Sequence, residues 1–211
     1  MVLDTAKRIL LMLALCWLAG CQQDAGYAAL AAGTTVLAFG DSVTYGTGAG
    51  ESEDYPSVLA RQTGWHVVNA GIPGDTALNV KTRIGALIDE YRPALILVEL
   101  GGNDFLRQRA AGAVKEDLRA ILTQAIDSGA ITVLIAVPKV SPLRASIGAL
   151  SDSPIYAELA EELNVVLVDE VFADVLSDGR LRADHIHPNA AGYREFARGV
   201  VTRLARAGLV P

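Results

Sequence analysis

The chain has 211 residues, is 51% hydrophobic and 6% aromatic, and carries a net charge of −6. That length and apolar content suit one sizeable domain with a real core. With no basic stripe to release phosphate counterions, nucleic acid is disfavoured as a partner.

Taken in chain order, Lys7 and Arg8 lead into the uncharged, mostly aliphatic run 9–20. A basic start before an apolar run well short of the roughly 20 residues of a membrane-spanning helix reads as a secretory signal. Its end, Leu18-Ala19-Gly20-Cys21, resembles the lipobox of bacterial lipoprotein signal peptides, in which the chain is cut before the cysteine and that cysteine is acylated. The resemblance implies more than one acyl chain on Cys21, and two chains suffice for stable anchoring. By resemblance to lipoprotein sorting rules, Gln22 in place of the aspartate that retains a lipoprotein at the inner membrane favours the outer membrane over the inner, with the chain on the periplasmic side. Removal of the signal takes Cys16 with it and leaves Cys21 as the mature chain's one cysteine, so no intramolecular disulfide is expected. Residues 22–33, QQDAGYAALAAG, are small and without periodicity, and read as a tether reaching on the order of 20 Å. The expected plan is a signal over 1–20, lipidated Cys21 and tether over 21–33, and one monomeric domain over 34–211.

Five apolar, β-branched runs follow: 34–40, 65–71, 94–101, 131–138 and 165–171. Continuous rather than alternating apolarity predicts strands buried on both faces. Helical spacing falls between and after them, at 55–62, 76–91, 113–128, 154–163 and 190–207, the last with Pro188 near its first turn. This alternation predicts an α/β fold, a five-stranded parallel sheet with right-handed crossovers and helices on both faces. The irregular stretch 139–153 after the fourth strand is long for a compact domain, and loops of that length are more often functional than idle.

Polar residues gather just past the strand ends, where open parallel sheets bind ligands. Gly40-Asp41-Ser42 follows the first strand, Asn69-Ala70-Gly71 closes the second, and Gly101-Gly102-Asn103-Asp104 follows the third. Asp184-His185-Ile186-His187-Pro188 lies between the fifth strand and the last helix. A serine, a base, an orienting carboxylate and donors for an oxyanion are the parts that acyl transfer needs.

In these four blocks the chain resembles the SGNH or GDSL-type hydrolases, through GDS at 40–42, Gly71 within NAGIPGDT, GGND at 101–104 and DHIHPN at 184–189. More narrowly, YPSVLA at 55–60 and LVELGGND at 97–104 are similar to the bacterial arylesterase, thioesterase I and lysophospholipase branch. Val43 replaces the leucine of the older GDSL pattern, a conservative change. The resemblance implies a three-layer α/β/α, flavodoxin-like fold with strand order 2-1-3-4-5. It implies Ser42 as nucleophile, His187 as general base and then acid, and Asp184 as its orienting partner. The implied oxyanion hole is the backbone N–H of Ser42 and of Gly71 with the side-chain amide of Asn103. The expected activity is hydrolysis of carboxylic esters or thioesters, without a cofactor, on a small acyl ester or lipid. A deacetylase of cell-envelope carbohydrate is the alternative, since it shares the same blocks, and a non-catalytic binding lipoprotein would be expected to have lost at least one of them.

Other readings of the same residues are weaker. His185 competes with His187 as base, and the two with Asp184 could ligate a metal, but three ligands within four residues lack the fourth that zinc needs. His66 opens the second strand and reads as structural, while Asp41 and Asp104 read as turn formers. No serine has glycine on both sides, so the elbow of the α/β-hydrolases is missing. Gly46, Gly48 and Gly50 spell no phosphate cradle and read as a flexible rim.

Overall fold

A computed structural model describes residues 26–139 and 150–210. The five strands are β1 (Thr35–Gly40), β2 (His66–Gly71), β3 (Leu95–Glu99), β4 (Ile131–Ile135) and β5 (Val166–Val168). All pair in parallel, in the order β2-β1-β3-β4-β5. The expected sheet and strand order are therefore present. β3 is buried along its whole length, and β1 and β4 are buried except at their first residues, as strands covered on both faces must be. β2 departs from the expectation: it is an edge strand with His66 and Asn69 exposed.

Among the described residues the α-helices are α1 (Ser42–Tyr45), α2 (Tyr55–Thr63), α3 (Ala77–Val80), α4 (Arg83–Tyr91), α5 (Gly102–Leu106), α6 (Ala111–Asp127), α7 (Ile155–Leu163), α8 (Val171–Ser177) and α9 (Ala190–Arg206). They pack as two groups, α2 and α8 on α9, and α4 and α7 on α6, giving the layers that cover the sheet. The helix expected over 76–91 is split into α3 and α4, because at the break the Lys81 carbonyl accepts from the Gln124 amide on α6 (3.1 Å). α1 and α5 are single turns immediately after strands, too short to register as a 3.6-residue period, and α8 was hidden behind the fifth apolar run. The long helix α9 starts where expected, with the Asn189 side chain accepting from Gly192 N–H at its N-cap (3.0 Å).

Residues 27–33, expected in the tether, are instead seated at the edge of the sheet where the strands begin. Tyr27 N–H donates to Ala207 O (3.2 Å), Leu30 N–H to Leu209 O (2.9 Å) and Gly33 N–H to Gly64 O (2.8 Å). The buried Trp65 ring adds its Nε1–H to Leu30 O (3.3 Å). The segment binds because the turns before β2 and after α9 leave carbonyls there that its N–H groups can reach. Most of the 139–153 loop, residues 140–149, lies outside the described residues, as do Cys21 and the signal.

Candidate active site

All five strands point their carboxyl ends at one edge, and that edge carries the predicted residues. Ser42 is the first residue of α1, with the Asp41 side chain accepting from Val43 N–H as cap (3.0 Å). As the first helical residue, Ser42 has a backbone N–H without an intrahelical acceptor. The turn before α9 brings the histidine to the serine: Ala183 N–H donates to His187 O (2.9 Å), while Asp184 Oδ1 accepts from Ile186 N–H and His187 N–H, both at 2.8 Å. That Asx turn is why a three-residue spacing folds the carboxylate back on the ring. Asp184 Oδ2 lies 2.7 Å from His187 Nδ1, and His187 Nε2 lies 2.9 Å from Ser42 Oγ.

The His187 side chain is 12% exposed and that of Asp184 52% exposed. Partial burial pushes the Asp184 carboxyl upward, but hydrogen bonds from the His187 ring and from the Ile186 and His187 amides outweigh it and hold the group below the usual carboxylate range. It therefore stays ionised beside the imidazole. His185 is exposed and stands outside this chain of contacts, as does His66. Among the described residues no group of three or more His, Cys, Asp and Glu is arranged to hold a metal ion.

The expected oxyanion donors sit at the same edge, two of them engaged by protein acceptors. Gly71 N–H donates to the Asn69 side chain (3.0 Å), and the Asn103 amide donates to Asp75 O (2.9 Å) and to Asp41 Oδ2 (3.2 Å). Gly71 is glycine because α1 packs directly against it. A Cβ there would meet Tyr45 N at 2.2 Å and Asp41 O at 2.8 Å, so the close approach is to the backbone of α1. Gly40 is likewise pressed against Thr44 and the Glu99 carbonyl. The cleft beside Ser42, Asn103 and His187 has an apolar wall of Val43, Leu106, Val137, Pro138, Phe172, Leu176 and Ile186.

Residues 38–195 match the GDSL-like lipase/acylhydrolase family. The chain belongs to that family. It is 31% identical to esterase TesA of Pseudomonas aeruginosa over 179 residues, 81% of this chain and 87% of that one. It is 35% identical to the thioesterase 1/protease 1/lysophospholipase L1 of Escherichia coli over 165 residues, 75% of this chain and 77% of that one. Its fold superposes on a crystal structure of TesA with a TM-score of 0.70 at 28% identity, over 82% of this chain and 99% of that one.

Beneath the Ser42 loop this GDSL-family chain holds a buried polar layer that the sequence motifs did not single out. Glu99, at the end of β3, is fully buried and accepts from Thr44 Oγ1 through Oε2 (2.9 Å), and Thr44 Oγ1 also meets Tyr55 OH (3.2 Å). Among the described residues Glu99 Oε1 has no hydrogen-bond partner. Burial, reinforced by the neighbouring Asp41 charge, pushes the Glu99 carboxyl well above its ordinary value. Asp41 is also raised, to about 6, first by its own burial and then by Asp104 and Asp75, with the Val43 amide and His187 opposing. The available signal was a single carboxylate inside the otherwise apolar run 94–101.

Asp104 and Asp41 are more than turn formers. Asp104 is fully buried, accepts from Ala77 N–H (2.8 Å) and pairs with Arg109, which also reaches Asp117 (2.7 Å). Arg83 ties the strand ends together, donating to Ala70 O and to Asp75 Oδ2, both at 2.8 Å, with its guanidinium 4.4 Å over the Phe39 ring.

Proposed function

We propose that this ester-bond hydrolase works through Ser42, His187 and Asp184, by attack on the carbonyl carbon of an acyl ester or thioester. The observation that carries the reading is the unbroken contact chain from Ser42 Oγ through both ring nitrogens of His187 to Asp184. Ser42 Oγ forms the new bond to carbon as its proton passes to His187 Nε2. Collapse of the tetrahedral intermediate breaks the bond to the leaving alcohol or thiol, which departs with that proton. Water then attacks the acyl-enzyme, His187 takes the water's proton, and the acid leaves as Ser42 Oγ regains it. Ser42 N–H and Gly71 N–H, with the Asn103 amide, are the oxyanion donors in this reading, and the last two exchange their present acceptors for the developing charge.

The substrate side of the proposal is an acyl chain longer than acetate. Its support is the apolar wall of the cleft, which offers a hydrocarbon chain contacts and an acetylated sugar few partners. The names of the relatives, esterase and lysophospholipase, agree with it. The proposal also includes acylation of Cys21 and residence at the periplasmic face of the outer membrane, supported by the Leu18–Cys21 pattern.

Labelling with a fluorophosphonate probe tests the nucleophile, with Ser42 expected as the modified residue and labelling that persists in Ser42→Ala overturning it. Rates on p-nitrophenyl esters from acetate to palmitate test the substrate, and a steep preference for acetate would overturn the acyl-chain reading.

A further inference from the structure

Ser42 and the point where the chain enters the domain lie at opposite edges of the sheet. The parallel strands carry Ser42, Asn103 and the His187 turn at their carboxyl ends. Tyr27, Leu30 and Gly33 are bound to Ala207, Leu209 and Gly64 at the other edge. The 17 residues of α9 run from one edge to the other, from Ala190 just after His187 to Arg206 just before Ala207, the partner of Tyr27. At 1.5 Å per residue that separation is about 25 Å.

We propose that the anchored protein holds its cleft away from the membrane that carries Cys21, and so draws its acyl ester from the aqueous phase rather than from that bilayer. The proposal rests on the lipoprotein reading of Cys21. Five peptide units join Cys21 to Gly26, and even fully extended they span at most about 18 Å. Turning the cleft face down would lift Gly26 about 25 Å above the lipid, farther than the link reaches. Freeing residues 27–33 would lengthen it, at the cost of three backbone hydrogen bonds and the Trp65 contact to Leu30. Tyr45, Ile72, Leu78 and Leu106, exposed on the cleft edge, then face water, where they can receive the chain of a dissolved single-chain ester.

The test uses the full acylated chain in phosphatidylcholine vesicles containing a lipid-bound acceptor dye. A fluorophore on Ile72→Cys reports the height of the cleft, and one on Arg206→Cys the height of the opposite edge. Strong energy transfer from 206 and weak transfer from 72 is expected; transfer from 72 as strong as from 206 overturns the orientation. A 20-residue Gly-Ser spacer inserted between Ala25 and Gly26 should leave p-nitrophenyl butyrate turnover unchanged and raise hydrolysis of a palmitoyl ester resident in the same vesicles about tenfold, by adding reach. Equal rates on the resident ester with and without the spacer, whatever their size, overturn the proposal. Failure of the anchor reading is separate, visible as a mature N-terminal peptide without acyl mass, and failure of the esterase reading as no turnover of butyrate.

Discussion

His187 Nε2 lies 2.9 Å from Ser42 Oγ across 145 residues of chain, and Asp184 Oδ2 lies 2.7 Å from the other ring nitrogen. The second contact fixes which nitrogen carries the proton, because an ionised carboxylate accepts from Nδ1–H and leaves Nε2 as the base. Asp184→Asn keeps an oxygen for the Ile186 and His187 amides but no longer favours that tautomer. We expect kcat on p-nitrophenyl butyrate to fall by roughly 10³ to 10⁴ at neutral pH, with the melting temperature little changed. A fall of less than tenfold would show that the imidazole needs no orienting carboxylate here.

Asn103 reaches the site from the first turn of α5, with both amide protons engaged, by Asp75 O and Asp41 Oδ2. In the proposed mechanism its service to an oxyanion is thus an interaction of the transition state and not of the resting enzyme. Asn103→Ala is expected to lower kcat by about 10² to 10³ with KM nearly constant. A rise in KM at constant kcat would instead make Asn103 a substrate-binding group.

Gly71 faces three backbone atoms of Asp41, Thr44 and Tyr45, the nearest 2.2 Å from where a Cβ would stand. Backbone cannot swing aside as a side chain can, so Gly71→Ala must displace α1, and Ser42 with it. Overpacking of this kind costs about 1–3 kcal/mol, and misplacing a nucleophile by about 1 Å costs on the order of 10² in rate. Denaturant unfolding and kcat measured together check this, and wild-type values for both would mean that the neighbouring turn yields freely.

How far the sequence could be read depended on the range of each interaction. The strands were legible because apolar runs are local, their order only through the family resemblance, and the Asp184 to His187 turn because its hydrogen bonds span three residues. Glu99 was not, since its partner Thr44 is 55 positions away and only the folded sheet sets them side by side. The same holds for the engagement of Gly71 by Asn69, where a residue read as a donor for substrate has an acceptor of its own. Residues 27–33 look like linker by composition, and their seating depends on Ala207 and Leu209, beyond the reach of any local pattern.

Glu99 and Asp41 make the buried layer under Ser42 a pH-dependent part of the stability. Both carboxyls have folded-state values raised by burial, so between the unfolded and folded values the native state holds protons that the unfolded chain releases. Stability from these groups is present at low pH and is lost as pH rises, at up to about 1.4 kcal/mol per pH unit for each group. For Asp41 the window runs from the ordinary carboxyl value of 3.8 to about 6, and for Glu99 it extends upward from 4.5. Glu99→Gln substitutes a neutral group of the same shape for a carboxyl that is already protonated in the fold, and its amide replaces an Oε1 that has no partner among the described residues. Urea unfolding at pH 5 should therefore find the variant close to wild type, whereas above pH 7 the variant should be the more stable of the two, with the gap opening as pH rises. Parallel curves for the two proteins across that range would mean that Glu99 is ionised in the native state, with its charge balanced by a donor other than Thr44.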